Sequence, residues 1–252
     1  MFSHAITRRP GPDLARGLTT ADLGPPDSSR ALVQHTAYVA ALRDLGLAVT
    51  ELPALPGHAD ACFVEDTAVV VPELAVVTRP GAPSRRGETA SVAAVLAEHR
   101  ELATITPPGT VDGGDVLVAD RTCWIGISGR TNASGAEQLA SLLGARGYAC
   151  RLVPVTGGLH LKSHANHVGD RTLLLAESWS ARTEFADWSR ITVPAAETYA
   201  CNTLLVNGTL LVPAGYRDTA RLLAGLGLPM LALDTSEIRK LDGGLTCLSL
   251  RF

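Results

Sequence analysis

The chain has 252 residues, which is enough to bury a sizeable hydrophobic core without disulfides or a structural metal. Hydrophobic residues make up 46% of it and charged residues 19%, a globular composition that excludes a largely disordered protein. The net charge of -3 offers no basic surface field, so nucleic acid is not an expected partner.

The sequence predicts a soluble, cytoplasmic protein. Its longest apolar stretch, 222–233, is interrupted by Gly225, Gly227 and Pro229 and is too short to cross a bilayer. The first ten residues do not have the pattern of a signal peptide. The five cysteines are scattered and form no CxxC pair, which favours reduced thiols over a disulfide framework.

Taken in chain order, the sequence repeats one unit, in which an apolar strand, a tight turn and a second apolar strand precede a helix or loop and a third strand. Four hairpins are predicted, with turns at Pro72-Glu73, Asp120, Gly169-Asp170 and Asn207-Gly208. The fifth unit is split, because the last strand has no partner after it and the first has none before it. We therefore expect the last strand to pair with the first and to close the chain into a ring.

Helices are predicted between the second and third strands of several units. Residues 29–45 and 84–99 carry periodic apolar positions, Asn132 caps a third helix and Asp218 a fourth, whereas residues 178–190 are less clearly helical. Strands that alternate with helices indicate an α/β fold.

Five units in a ring predict a five-bladed α/β propeller. No linker or low-complexity segment marks a boundary, so residues 1–252 are expected to form one domain. An open doubly wound sheet is the alternative, but it would contain fewer hairpins.

Polar residues recur at the starts or ends of the predicted inner strands. Burying an unpaired charge is costly, so these residues need a reason to be there. In a closed ring they would all face one central channel. We therefore expect a functional site there, because these polar residues converge on one place. The residues are Glu65, Asp66, Asp112, Asp115, His160, Lys162, Asn202, Asp242 and Cys247.

Three of these residues suit nucleophilic catalysis. Cys247 offers a thiolate, His160 a general acid and base, and Asp112 a carboxylate that orients the imidazole. Further charged residues suit a zwitterionic substrate with a cationic head and a carboxylate tail. Those that would receive the cation are Asp60, Glu65 and Asp66, and those that would hold the carboxylate are Arg85 and Arg130.

Each signal has an ordinary structural explanation when it is taken alone. The other four cysteines are expected to be inert core residues, and Asp112-Gly113-Gly114 is by default a turn. A zinc site is the sharpest competing interpretation, because His160, His164 and His167 have an H-x-x-x-H-x-x-H spacing in which the first two would share one face of a strand. There is no HExxH motif to support it.

The motifs FVEDTAVV, SRRGE, GTVDGGDVL, GRTN, LHLKS, PAGY and DGGLTCLSLRF occur in this order along the chain. Together they resemble the bacterial dimethylarginine dimethylaminohydrolases of the guanidino-modifying (pentein) superfamily, whose fold is a five-bladed α/β propeller. The resemblance covers the whole chain. It implies hydrolysis of asymmetric dimethylarginine and monomethylarginine to citrulline and a methylamine, with no cofactor and no metal.

The resemblance also implies roles for individual residues. Cys247 in DGGLTC would be the nucleophile, His160 in LHLKS the acid and base, and Asp112 in TVDGGD the third member of the triad. Several bacterial relatives have glutamate at this last position, so aspartate shortens the reach to His160. The substrate contacts would be Glu65, Asp66 and the carbonyl of Leu241 on the guanidinium, Arg85 and Arg130 on the carboxylate, Asp60 and the carbonyl of Leu18 on the α-amino group, and Phe63 along the stem.

Some alternatives stay open at this point. Another guanidino-group enzyme of the same fold, such as an arginine deiminase or an amidinotransferase, is the runner-up, although no helical insertion of the kind common in deiminases is visible. A non-catalytic amino-acid-binding protein and a zinc hydrolase are further possible functions. His164 and His167 lie outside the family pattern, the segment around Leu18 resembles a flexible lid, and an exposed apolar blade edge would allow a homodimer.

Overall fold

The computed structural model describes all 252 residues and contains five three-stranded sheets. The central strand of each sheet pairs antiparallel with one neighbour and parallel with the other. We number these sheets as blades 1 to 5. Blade 1 contains β1 (His4–Arg8), β2 (Ala48–Leu52) and β15 (Leu250–Arg251); blade 2 contains β3 (Ala68–Val71), β4 (Leu74–Val77) and β5 (Leu102–Thr104); blade 3 contains β6 (Val116–Ala119), β7 (Thr122–Ile127) and β8 (Ala149–Pro154); blade 4 contains β9 (Ala165–Gly169), β10 (Thr172–Ala176) and β11 (Ser189–Val193); blade 5 contains β12 (Leu204–Val206), β13 (Thr209–Pro213) and β14 (Met230–Leu233).

The four predicted hairpins all form. In the hairpin between β12 and β13, Asn207 and Gly208 have φ angles of 47° and 85°. A type I′ turn, whose twist matches that of the flanking strands, needs positive φ at both positions, and Asn-Gly adopts this conformation at low cost.

The chain ends close the ring as predicted. Strand β15 pairs antiparallel with β1, with Ala5 opposite Arg251 and Ile6 opposite Leu250. The carbonyl of Phe252 also accepts hydrogen bonds from the backbone N–H groups of Ser3 and His4. The first blade is therefore assembled from both ends of the sequence.

The hydrophobic core is divided into five parts, and each part lies between two successive blades. Because side chains alternate across a strand, adjacent residues of each central strand enter different parts of the core. The part between blades 5 and 1 completes the circle. In each part, residues from the central strands of two successive blades belong to the same cluster. These pairs are Ile6 with Ala75, Val76 with Ile125, Trp124 with Leu173, Leu174 with Leu210, and Leu211 with Ala5.

Helices lie between the second and third strands of the blades. They are α1 (Ser28–Asp44), α2 (Thr89–Leu96), α3 (Ala133–Gly144) and α4 (Arg217–Ala224), with a short α5 (Ser236–Arg239) after β14. Asn132 caps α3 as predicted, because its side chain accepts a hydrogen bond from the N–H of Gly135. The structure contains no helix with both the length and the apolar character that a bilayer crossing requires.

The predicted cap of α4 is wrong. Asp218 lies inside the first turn, and the carboxylate of Glu197 accepts hydrogen bonds from the N–H groups of Asp218 and Thr219. Two other segments contain less α-helix than the sequence predicted. Residues 84–99 form a 3-10 turn, Pro83–Glu88, followed by the shorter α2, and residues 178–190 contain two 3-10 turns.

A 3-10 turn precedes the inner strand of every blade, and in blades 1, 2 and 4 it replaces part of a strand that the sequence predicted to be longer. The side chain period of two is lost in these turns, so their polar residues leave the sheet and collect around the centre of the ring. We call these segments the hub turns. They are Val64–Thr67, Gly113–Asp115, Leu161–Ser163, Ala195–Cys201 and Thr246–Leu248.

Candidate active site

An open cavity lies against the hub turns. Ten of the eleven residues that the sequence predicted for the site line it, and Glu65 is the exception. Asp242, which was predicted to face the channel but was given no role, also lines the cavity, and two further lining residues, Leu159 and Gly243, were not predicted. The predicted residues in the lining are Leu18, Asp60, Phe63, Asp66, Arg85, Asp112, Arg130, His160, Leu241 and Cys247.

His160 and Asp112 are a buried hydrogen-bonded pair. The Nε2 atom of His160 lies 3.1 Å from Oδ2 of Asp112. The other carboxylate oxygen of Asp112 accepts a hydrogen bond from the N–H of Gly81, which fixes its orientation. The aspartate side chain is therefore long enough to reach the imidazole.

Asp66 approaches the opposite nitrogen of the same imidazole. Its Oδ1 lies 4.0 Å from Nδ1 of His160 and accepts a hydrogen bond of 2.8 Å from the N–H of Gly114. A Cβ atom on Gly114 would lie only 2.6 Å from Nδ1 of His160. The second glycine of the D-G-G motif is therefore needed for close packing, a role that the sequence alone did not distinguish from an ordinary turn.

The surroundings of His160 favour its protonated form. Burial by itself lowers its pKa, but the charge of Asp66, the hydrogen bond with Asp112 and the charge of Asp115 outweigh burial and raise the pKa to about 9. The pKa of Asp66 is lowered in turn, because His160 and Arg85 offset its burial. At neutral pH the imidazole is thus a cation that can donate a proton.

Cys247 lies in the last hub turn, and its Sγ accepts a hydrogen bond of 3.4 Å from the N–H of Gly244. Burial, together with the negative charges of Glu65 and Asp66, raises the pKa of the Cys247 thiol to about 12. The thiol is therefore protonated in the empty site at neutral pH. A cation that binds beside it would favour the thiolate.

Arg85 is buried rather than solvated, and most of its hydrogen-bonding capacity is used inside the protein. Its Nη1 lies 2.5 Å from Asp66, and its Nε and Nη2 donate to Glu88. Nη2 also donates to the carbonyls of Asp60 and Phe63, so one N–H on Nη1 is left for a ligand.

Arg130 differs from Arg85, because its guanidinium has no hydrogen-bond or ion-pair partner within the chain although it lines the cavity. Only its backbone N–H is bonded, to Ser128. The two arginines therefore differ in their contacts, and the expectation that both hold a substrate carboxylate stays a prediction. Arg130 is the available cation, and Arg85 mainly holds the acidic residues around it.

The carboxylate of Glu65 is hydrogen-bonded to other side chains of the protein. Its carboxylate accepts hydrogen bonds from the hydroxyl of Thr246 at 2.8 Å, from Nζ of Lys162 at 2.7 Å and from Arg251 at 3.3 Å. It does not line the cavity. The expectation that this carboxylate contacts a substrate stays a prediction, and Asp66 is the acidic residue of this turn that lines the cavity.

The segment around Leu18 lies against the cavity. The N–H of Leu18 donates to Oδ1 of Asp60 at 2.9 Å, and the N–H and hydroxyl of Thr20 donate to Oδ2 of Asp242 at 2.6 and 3.0 Å. Asp242 has a φ of 57°, which an aspartate adopts more easily than most residues. These contacts hold the predicted lid segment against the cavity.

Apolar walls complete the cavity. Phe63 and Leu241 are both buried members of the core between blades 5 and 1, and both line the site. Gly243 allows this packing, since a Cβ atom there would lie 2.4 Å from the ring of Phe63. A hydrocarbon stem or N-methyl group could pack against these walls.

The three-histidine zinc site is wrong. His164 approaches the carbonyl of Gly157 and stacks on Trp179, while the ring of His167 lies edge-on to Trp188. The hub turn Leu161–Ser163 breaks the strand that would have put His160 and His164 on one face. One group of side chains, Asp66, Asp112 and His160, has donor atoms within 4.8 Å of one another, and hydrogen bonding and charge pairing with the imidazole account for it.

Sequence comparisons place the chain among known enzymes. A family model described as N,N dimethylarginine dimethylhydrolase, eukaryotic, matches residues 26–184. An N(G),N(G)-dimethylarginine dimethylaminohydrolase from Pseudomonas aeruginosa is 40% identical over the full length of both chains. A protein of the same name from Streptomyces coelicolor is 39% identical, over 98% of this chain and 96% of the relative.

Solved structures agree with the sequence comparisons. The Pseudomonas aeruginosa enzyme, as a cysteine-to-serine mutant complexed with citrulline, superposes with a TM-score of 0.98 at 40% identity and full coverage of both chains. A histidine-to-glycine variant of a dimethylarginine dimethylaminohydrolase, as an adduct with S-methyl-L-thiocitrulline, gives a TM-score of 0.96, also at 40% identity and full coverage of both chains. The N-terminal domain of a cyanobacterial arginine dihydrolase is 19% identical, with a TM-score of 0.89 over 98% of this chain and 97% of that domain, and shares the fold. The chain belongs to the dimethylarginine dimethylaminohydrolase family, and its five blades form the α/β propeller of that family.

Proposed function

We propose that the protein hydrolyses N-omega-methylated arginines, namely asymmetric dimethylarginine and monomethylarginine, to citrulline and di- or monomethylamine. The observation that carries the proposal is that a cysteine, an imidazolium–carboxylate pair and a further carboxylate line one cavity. The Pseudomonas aeruginosa relative, whose structure contains citrulline, supports the choice of substrate class.

The charges of the cavity suit a methylated arginine. Asp66 provides a carboxylate for the guanidinium near Cys247, and Arg130 provides a free guanidinium for the substrate carboxylate. Asp60 and the carbonyl of Leu18 would receive the α-amino group. Burial raises the pKa of Asp60, although Arg85 opposes this effect, and a bound ammonium would favour its ionised form.

Substrate binding activates the nucleophile. The docked guanidinium lowers the pKa of the Cys247 thiol, whose proton passes to solvent, and the thiolate then attacks the guanidinium carbon. The imidazolium of His160 gives its proton to the departing dimethylamine nitrogen, because an amide anion could not leave. The products of this half-reaction are free amine, neutral His160 and a thiouronium adduct on Cys247.

The second half-reaction uses the same groups. Neutral His160 takes a proton from water, and the hydroxide attacks the thiouronium carbon. The carbon–sulfur bond breaks, Cys247 leaves as a thiolate, the hydroxyl proton of the tetrahedral intermediate passes to solvent, and neutral citrulline is released. Asp112 keeps the imidazole oriented through both steps, as the third group of a catalytic triad does.

A citrulline assay over a panel of substrates tests the proposal. The panel contains dimethylarginine, monomethylarginine and arginine, with the Cys247→Ser variant as control. We expect turnover of the methylated substrates and a loss of at least about a thousandfold in Cys247→Ser, with citrulline still bound. Near wild-type activity of Cys247→Ser would exclude the mechanism, and turnover of arginine alone would identify a deiminase.

We also propose that residues 1–252 act as one catalytic domain, since the terminal strands complete one blade. The absence of any paired cysteine among the five is consistent with a cytoplasmic protein. The homodimer stays a prediction. It would depend on the exposed apolar edge strand Met230–Leu233, and light scattering on the purified protein measures the oligomeric state.

A further inference from the structure

A network of buried and partly buried hydrogen bonds joins the segments around the hub turns, and we call it the hub network. Each blade contributes at least one member, and the members are separated by up to 186 positions in sequence. The members are Glu65 from blade 2, the carbonyl of Gly113 from blade 3, Lys162 from blade 4, Asn202 from blade 5, and Thr246 with Arg251 from blade 1.

Thr246, the residue before the nucleophile, has every polar group bonded within this network. Its N–H donates to Oδ1 of Asn202 at 3.0 Å, its hydroxyl donates to Glu65 at 2.8 Å, and its carbonyl accepts from Arg251 at 3.2 Å. Thr246 is only 2% exposed. The backbone on the N-terminal side of Cys247 therefore has one well-defined position.

Asn202 contacts the nucleophile segment at two points. Its amide exchanges two hydrogen bonds with Thr246, since Nδ2 also donates to the threonine hydroxyl at 3.2 Å. It also packs on Gly244, where a Cβ atom would lie 2.4 Å from Cγ of Asn202. Gly244 is the residue whose N–H bonds the sulfur of Cys247.

The network also reaches the segments that carry the other two catalytic residues. Lys162, close in sequence to His160, donates to Glu65 at 2.7 Å and to the carbonyl of Gly113 at 3.2 Å. Gly113 directly follows Asp112. The sulfur, the imidazole and its carboxylate thus lie on three segments that Glu65 and Lys162 connect.

We propose that Thr246 and Asn202 are positioning residues, which set the position of the Cys247 sulfur relative to His160 by holding the nucleophile's backbone in the hub network. Neither residue lines the cavity. Apolar residues of similar volume can stabilise a core equally well, so stability alone does not explain a polar network at this place. A displacement of about 1 Å between reacting groups can cost about a hundredfold in rate.

This inference rests on the proposed function, and its test uses the isosteric variant Thr246→Val. Thr203→Val is the matched control, because Thr203 is equally buried and its hydroxyl donates only to the local carbonyl of Ala200. We expect Thr246→Val to lower kcat about a hundredfold with little change in KM, and Thr246→Ser to restore most of it. Thr203→Val should keep the wild-type kcat even if its Tm falls as much as that of Thr246→Val.

A second readout does not depend on the substrate. The alkylation rate of Cys247 by iodoacetamide, followed on its own peptide by mass spectrometry, should change with pH differently in Thr246→Val and in Thr203→Val. If both variants lose the same kcat and share the wild-type alkylation profile, the positioning role is overturned. A wild type that turns over no methylated arginine would instead refute the proposed function, while the alkylation profiles would still decide on Thr246.

Discussion

The imidazole of His160 is bonded through Nε2 to Asp112, 3.1 Å away, and this leaves Nδ1 on the side of Asp66. The two carboxylates therefore act on different nitrogens of one ring. Asp112 orients the ring, whereas Asp66 contributes negative charge near the cavity. Together they keep the imidazole protonated at neutral pH.

Asp112→Asn should shift the pH dependence of the reaction. Removing this charge lowers the pKa of His160 from about 9, so the alkaline limit of kcat/KM, where His160 loses its proton, should move to lower pH. We also expect kcat to fall by roughly 10² to 10⁴. Citrulline release measured from pH 6 to 10 checks both effects, and an unmoved alkaline limit would show that His160 is not the proton donor.

Arg130→Ala and Arg85→Ala should separate substrate binding from stability. Arg130 has no partner in the chain, so its loss should raise KM about tenfold or more with little change in unfolding. Arg85→Ala would leave Asp66 and Glu88 buried without their cation, at a cost of about 3–5 kcal/mol. Steady-state kinetics and urea unfolding measure the two effects; equal effects of both substitutions on KM alone would contradict this division of roles.

Gly114→Ala should damage the site through a single methyl group. The new Cβ would lie 2.6 Å from Nδ1 of His160 and 2.9 Å from Oδ1 of Asp66, so the imidazole must move. We expect kcat to fall about a hundredfold. Gly144→Ala is the control, since Gly144 ends α3 with open space around it, and its activity should match the wild type. A fully active Gly114→Ala protein would mean that the imidazole tolerates displacement.

His35→Leu should reduce the sensitivity of the fold to acid. His35 is buried in α1 without a partner for either ring nitrogen, and burial lowers its pKa to about 4, with Glu51 opposing and Arg9 adding to the effect. Because the pKa of His35 is lower in the folded protein than in the unfolded chain, where it is near 6.5, protonation of this histidine favours unfolding. The folded state therefore has its full stability above about pH 6.5 and loses part of it as the pH falls toward 4.

This loss amounts to about 2–3 kcal/mol between pH 7 and pH 4.5. Urea unfolding at the two pH values, on the wild type and on His35→Leu, measures it. The variant should lose less stability than the wild type by about that amount. Equal losses in both proteins would assign the acid sensitivity to other groups.

The ring could be predicted from the sequence because its determinants are local. Asn207-Gly208 is a turn in almost any surrounding, and alternating apolar strands around such turns indicate hairpins. The split blade followed from the unpaired strands at the two ends. The residues lining the cavity followed from the same topology together with the resemblance to a family.

The exceptions depend on contacts that are distant in sequence. Glu65 and Asp66 are adjacent acids, and only the 3-10 turn that replaces the expected strand sends one to Lys162 and the other to the cavity. The cap of α4 comes from Glu197 in another segment. Apolar residues stand on both sides of the acidic pair in FVEDTAVV, as they also can in a continuous strand, so no local pattern marks where such a turn ends.

The strand that completes the ring follows directly after the turn that carries Cys247. Pairing of β15 with β1 joins residues from opposite ends of the sequence, and contacts of such large separation form slowly during folding. Hairpins inside the blades need no such long-range step. In a refolding experiment, the return of catalysis should therefore lag behind the return of the β-sheet circular dichroism signal. Enzymatic turnover would then report the rate at which β15 pairs with β1.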